Sequence, residues 1–236
     1  MVAELSPPMS VENIQLKLKQ KINSKGRNIR GCSLLPDGRM VLSCCNANTV
    51  NFINKDGVEL FQIGKDKTGS CAIDRVYIKD NNTIAVSSGY GNNKSITIKC
   101  QEVMTTFSMD TYICSMAVRD RTMYYFASGK GLKMLNLSDK SVSDIIQSIM
   151  TFVFYVAKSG DKLYYSNVNT HTVACCDLHG TTQWEFKDNR VLHHRYDISV
   201  DNDGNVYVVG HVSSNVVVIS PDDNVIDNYY LPRMVW

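Results

Sequence analysis

Apolar and polar residues alternate with period two through much of this chain, and clusters of Asp, Asn, Gly, Ser and Pro break the alternation at short intervals. Residues 195–224 show the pattern most fully. Ile198 and Val200 alternate with polar neighbours, a polar turn follows at 201–205, and apolar runs occupy 206–209 and 216–219 before Pro221-Asp222-Asp223-Asn224 closes the third run. β-branched segments separated by turn residues predict antiparallel strands, and Asp203-Gly204 supplies the positive φ that a tight hairpin needs. A fourth segment, 225–230, completes a four-stranded sheet. One such sheet cannot bury both of its faces alone, so the pattern requires copies beside it.

Those copies are present. The first polar turn recurs at Asp37, Asp80, Asp120, Asp161 and Asp203, a step of 40 to 43 residues. A later turn, at Asp56, Gln101, Asp139, His179 and Asp222, keeps nearly the same step. Four strands in a unit of about 40 to 45 residues is the signature of a propeller blade. The expected fold is therefore all-β, a β-propeller of five full four-stranded blades over about 29–64, 72–109, 112–149, 152–187 and from 195 onward. Residues 13–23, NIQLKLKQKIN, place Ile14, Leu16, Leu18 and Ile22 on one side and Gln15, Lys17, Lys19 and Lys21 on the other. That predicts a half-buried strand with a lysine-studded face, suited to a sheet edge. Propellers commonly close by lending a strand from one terminus to the blade made by the other. This strand is accordingly expected to belong to an incomplete sixth blade, its three inner strands falling beyond Tyr230. The propeller, 13–236, then reads either as truncated at its C-terminus or as five blades closing with a strand added at the seam. Residues 1–12, with Pro7-Pro8 and little to bury, are expected to form a flexible tail.

The stretch ISVDNDGNVYVVGHVSSNVVVISPDDN resembles an NHL repeat, with Asp203-Gly204-Asn205, Asn215 and the apolar run 216–219 in the repeat's places. The first and fourth units keep the turn and strand pattern at Pro36-Asp37-Gly38-Arg39 and Asp177-Leu178-His179-Gly180, while the second and third are degenerate. Over about 11–224 the chain is similar to the C-terminal propellers of tripartite-motif (TRIM-NHL-like) proteins of the molluscan type. WD40 repeats share the period, but their Trp-Asp signature is absent, since Trp184 is followed by Glu185. The resemblance implies a recognition module. Related proteins act as ubiquitin ligases through a RING finger, whose Cys and His ligands this chain lacks, so ligase activity is expected to lie outside it.

Composition narrows the picture further. Hydrophobic residues make up 44% and charged ones 20%, too polar for a membrane class, and no apolar run approaches the roughly 20 residues needed to span a bilayer. The N-terminus has neither the basic start nor the apolar core of a secretory signal, which places the chain in the cytoplasm. Eight cysteines are present without a C-x-x-C pair. Cys32, Cys44, Cys114, Cys175 and Cys176 read as small apolar strand residues, and no metal or cofactor is expected.

Candidate chemistry is sparse. There is no G-x-S-x-G elbow, and GYGNNKS lacks the spacing and helix of a phosphate loop. His171, His179 and His211 fall in turns. Acids such as Asp201 and Asp203 sit in hairpins as turn-formers rather than as the inward calcium ligands of six-bladed propeller enzymes, which leaves a calcium-dependent enzyme as the least favoured reading. The leading reading is a non-enzymatic module that binds a protein partner and no small-molecule substrate. Loops between second and third strands and between blades gather on one face, where Tyr90, Lys130, Asn167 and His211 are candidates with the blade-entry residues Arg75, Tyr112, Phe154, Arg195 and Tyr196. An RNA-binding propeller is the alternative. Lys17, Lys19, Lys21, Lys25, Arg27 and Arg30 form a local charge of +6 with no acid between them, against +2 for the whole chain.

Overall fold

The computed structural model describes residues 14–17, 22, 28–35, 37–44, 47, 49–63, 72–78, 83–88, 95–100, 102–109, 111, 113–147, 154–192, 196–210, 213–221 and 225–230. These residues contain twenty strands and form five four-stranded antiparallel sheets. The expected flexible tail, 1–12, lies outside them. Two compact units divide the chain, a central one over 20–156 and a terminal one made of 1–19 with 157–236.

Three sheets build the central unit. The first contains β1 (Ile29–Leu34), β2 (Met40–Cys44), β3 (Thr49–Ile53) and β4 (Glu59–Ile63). The second contains β5 (Ala72–Ile78), β6 (Thr83–Ser88), β7 (Ser95–Cys100) and β8 (Glu102–Ser108), and the third β9 (Ile113–Arg119), β10 (Thr122–Ala127), β11 (Gly131–Asn136) and β12 (Val142–Ile146). Each is ordered as its strands follow in sequence, so β1, β5 and β9 are the first strands, and they lie side by side from sheet to sheet. Alternation decides which residues fill the spaces between sheets. Val41, Val50, Phe52 and Ile63 of the first sheet meet Ile84 and Val86 of the second. Ala85, one position on, points to the opposite face and joins Phe107 in a second layer with Ile113, Met116, Met123, Tyr125, Ala127 and Leu135. Phe52 and Phe61 stack with ring centroids 4.2 Å apart.

The terminal unit holds β14 (Lys162–Asn167), β15 (Thr172–Asp177) and β16 (Thr182–Lys187), preceded by β13 (Phe154–Ser159), and the sheet of β17 (Tyr196–Val200), β18 (Val206–Gly210), β19 (Asn215–Ile219) and β20 (Val225–Tyr230). Trp184 donates its indole N–H to the carbonyl of Pro221 at 3.0 Å, and Ser159 donates to the carbonyl of Asp201, so turns of one sheet rest on the other. A side chain at Gly204 would press on Pro221 and approach the hydroxyl of Tyr164, while the φ of +86° there lies in the left-handed region.

One expectation needs correcting. No strand forms in the described part of 13–23, so the strand of an incomplete sixth blade is absent there. Ile14 is instead buried against Val218, with Tyr207 beside it, on the face of the last sheet. Leu16, which the alternation puts on the same side, is 38% exposed. A segment lying on a sheet face needs only one apolar anchor, and this one supplies Ile14.

The β9–β10 turn carries two non-glycine residues in the left-handed region, Asp120 at φ 50° and Arg121 at φ 60°. Two such residues in succession match the hairpin turn that favours Asn-Gly. Arg121→Gly is expected to raise the melting temperature by about 2–4 °C, because removing Cβ relieves roughly 1 kcal/mol of backbone strain. The hydrogen bond from Leu137 N to Arg121 O survives the change. A thermal scan showing no rise would contradict this account.

Candidate functional site

Hairpin geometry puts the β14–β15 and β18–β19 turns at the same end of the terminal unit as the connection that leaves β16 for β17. Each is fixed by side chains bonding to backbone. Asn167, though 6% exposed and placed at the end of β14, turns its amide oxygen to accept from Asn169 N at 3.0 Å and Thr170 N at 3.2 Å. It shapes the turn, and Asn169 and Thr170 are exposed at the apex. The Thr170 and Thr172 hydroxyls pair at 2.8 Å across the base of that turn. Between β16 and β17, Asp188 accepts from Arg190 N and from its guanidinium, and its own carbonyl accepts from Leu192 N. The guanidinium beside it holds the Asp188 carboxyl down at about 2. Leu192 is fully buried and anchors the connection, while the Arg190 side chain stands 88% exposed. Asn215 Nδ2 donates to Val191 O at 2.9 Å and Ser213 Oγ donates to Asn215 Oδ1, which ties the β18–β19 turn to that connection. A Cβ at Gly210 would meet Ser213 Oγ and Asn215 Oδ1, so a larger residue there would displace both side chains.

The central unit repeats the arrangement. Thr111 Oγ1, just before β9, donates to Ser128 O in the β10–β11 turn, and Lys130 N donates to Ala127 O to close that turn. Lys130 is exposed at its tip. At the base of the β2–β3 turn the fully buried Asn51 takes hydrogen bonds on Oδ1 from Thr49 Oγ1 at 2.8 Å and Cys44 Sγ at 3.0 Å.

Of the other residues singled out by sequence, Arg75 lies in β5 opposite Val86, Phe154 begins β13 and Tyr196 begins β17 opposite Gly210. Tyr90, Tyr112, Arg195 and His211 lie outside the described residues. Within the basic segment Lys17 is exposed and Arg30 lies in β1, whereas Lys19, Lys21, Lys25 and Arg27 fall outside the described residues. Arg190 was missed by the sequence reading. Its signal was available in the Asp-x-Arg spacing, which also occurs at Asp37 and Arg39, where the same amide and guanidinium bonds form.

Among the described residues no three His, Cys, Asp or Glu side chains group as a metal would require. Asp201 spends its carboxylate within its own turn, accepting from Asp203 N, Asn205 N, Asn205 Nδ2 and Tyr207 OH, each at 2.9 Å. Burial pushes the Cys176 thiol up to about 12, and Cys175 upward as well, so neither is a thiolate at neutral pH. Cys44 and Cys114 are also buried and Cys32 is exposed, and all three lie in strands. No helix among the described residues is long and apolar enough to cross a membrane.

No protein-family model matches the chain, and no curated protein sequence matches it. Solved structures do. The chain is similar to one in the crystal structure of a nidogen/laminin complex, with TM-score 0.73 and 11% identity over 87% of this chain and 81% of that one. It is similar to virginiamycin B lyase from Staphylococcus aureus, with TM-score 0.65 and 12% identity over 91% and 73%. The β-propeller domain of Myceliophteria thermophila Cps50 (Swd1) gives 0.64 and 10% over 91% and 77%. At these identities the likeness is one of fold, and the fold is an all-β β-propeller.

Proposed function

We propose that this propeller is a non-enzymatic protein-recognition module of the cytoplasm, each four-stranded sheet serving as a blade. Its binding surface is the loop end of the terminal unit, and its role is similar to that of the substrate-binding module of TRIM-type ubiquitin ligases, with any catalysis supplied by a segment beyond these strands. The observation that carries this reading is how the loop end is built. Buried Asn167 and Asn215 brace the turns of the terminal unit, and Asn169, Thr170 and Arg190 stand on them in solvent. A rigid platform loses little entropy on binding, which favours recognition. A propeller of this fold in a nidogen/laminin complex supports a partner-binding role.

The test compares the two ends of the terminal unit. The purified chain immobilised as bait is expected to retain a defined protein from cytoplasmic extract, and Arg190→Glu or Asn169→Arg to weaken retention on the order of tenfold. His179→Glu, in the exposed β15–β16 turn at the opposite end, is expected to leave it unchanged. Equal retention by all three variants would refute the assignment of the surface. Retention of single-stranded RNA in filter binding, falling steeply with salt, would assign the propeller to nucleic acid instead.

A further inference from the structure

The loop end of the terminal unit spends its side-chain acceptors internally. Asn167 Oδ1 accepts from two turn amides, Asn215 Oδ1 accepts from Ser213 Oγ, and the Thr170 and Thr172 hydroxyls pair with each other. Arg190 takes both carboxylate oxygens of Asp188, Oδ1 through its backbone N–H and Nε, and Oδ2 through Nη2. The charged donors are not spent in this way. A guanidinium carries five N–H groups, and Asp188 receives two of them. The other three, two on Nη1 and one on Nη2, have no acceptor among the described residues, and the side chain is 88% exposed. Lys187 is the second cation. It ends β16 in the register row Asn167, Thr172, Lys187, at the foot of the β14–β15 turn, and is exposed with no ion pair among the described residues. Exposed Asn169 and Asn189 each offer both an amide donor and an amide acceptor, so they leave the balance unchanged. Glu185 and Asp197 stand back from the tip, inside β16 and β17, and the turn acids Asp161, Asp177, Asp201 and Asp203 lie at the opposite end.

A second copy of the Asp-x-Arg clamp separates this arrangement from ordinary turn chemistry. Asp37 and Arg39 make the same amide and guanidinium bonds in the β1–β2 turn, but the Arg39 side chain is only 27% exposed. Arg190 alone of the two presents its free edge to solvent. We propose that the partner bound at this end is an acidic peptide segment, one carboxylate of which sits in the Nη1–Nη2 fork of Arg190 while another pairs with Lys187. This rests on the reading of the loop end as a protein-binding surface and names the chemistry of what it binds. Held on one side by Asp188, the guanidinium loses little freedom when a second carboxylate arrives. Asp188 also offsets the charge of Arg190, so the net positive charge comes from Lys187 and both residues are needed. Nucleic acid fits this end less well, because no exposed Phe, Tyr or Trp among its described side chains offers a face on which a base could stack.

Fluorescence anisotropy on the full chain tests this with a labelled synthetic peptide of alternating Glu and Ser and its Gln-for-Glu counterpart. The acidic peptide is expected to bind on the order of tenfold more tightly than the Gln peptide, with salt weakening it. Lys187→Gln and Arg190→Lys are each expected to remove most of that preference. Arg190→Lys retains the charge, so its loss reports the two-pronged contact, which an ammonium cannot make. The Arg190 N–H still reaches Asp188 in that variant, so the melting temperature should stay at the wild-type value. Arg39→Lys, at the withdrawn copy of the clamp, is expected to leave binding unchanged. Equal affinity for the two peptides, binding of neither, or a preference indifferent to Lys187→Gln and Arg190→Lys would overturn the proposal. Tighter binding of single-stranded RNA than of the acidic peptide would do so as well. A protein still retained from extract in any of these cases would keep the recognition module and give its partner another chemistry, whereas an extract that yields no retained protein would remove the module reading itself.

Discussion

Asp201→Ala is expected to lower the unfolding free energy by about 3 kcal/mol and the melting temperature by roughly 6–12 °C. One carboxylate closes the β17–β18 turn through four hydrogen bonds, from Asp203 N, Asn205 N, Asn205 Nδ2 and Tyr207 OH. Bonds to an ionised acceptor are stronger than neutral ones, and Asn205 is 1% exposed, so the truncation strands donors that water reaches poorly. Tyr207 transmits the loss further, because its ring also packs with Val218 and Ile14. Asp201→Asn separates the contributions. Its amide oxygen can still accept from the two backbone N–H groups, but its NH₂ faces the Asn205 amide and the Tyr207 hydroxyl, and the expected cost is about 1 kcal/mol. Urea titrations of the three proteins check the order. Equal stability of the alanine variant and wild type would mean that the backbone alone sets this turn.

The same turn shows why the repeat could be read from the sequence. An Asp or Asn whose oxygen accepts from amides two and four residues on, followed by a glycine three residues on at positive φ, leaves a visible spacing. It appears at Asn54 with Gly57, Asp177 with Gly180 and Asp201 with Gly204. Where the left-handed residue is not glycine, as at Lys140, His171 and Ser214, the spacing carries no such mark. Position 14 was misread for a different reason. Period-two alternation is the same for a strand at a sheet edge and for a segment laid across a sheet face, and only the contact with Val218 distinguishes them. Asn167 was read as a binding residue because it ends a strand beside a loop, but a polar residue there can point outward or fold back on the turn. Its amide oxygen folds back to accept from Asn169 N and Thr170 N, and nothing in the residue type announces that geometry. Arg190 is the reverse case, since Asp-x-Arg has a local geometry that the sequence does state.

Leu135→Ala is expected to cost about 2–5 kcal/mol, the largest loss among the substitutions considered. Leu135 sits in β11 at 2% exposure, in the layer where Phe107 and Ala85 of the second sheet meet Ile113, Met116, Met123 and Tyr125 of the third. Deleting its isopropyl group removes apolar surface already withdrawn from water and leaves a void between two sheets. Backbone pairing holds the strand of Leu135 on both sides, since β10 pairs with β11 from Thr122 to Ala127 and β11 with β12 from Leu132 to Leu135. Collapse onto the space is therefore limited, and limited collapse is what raises the cost of a cavity. Leu34→Ala is the matched control. It removes the same atoms from a side chain 69% exposed, and is expected to change stability by less than about 0.5 kcal/mol. Urea unfolding of the two variants at low protein concentration measures the contrast. Similar midpoints would mean that the second and third sheets are not locked together through this layer, and that the stacking of blades rests on their first strands instead.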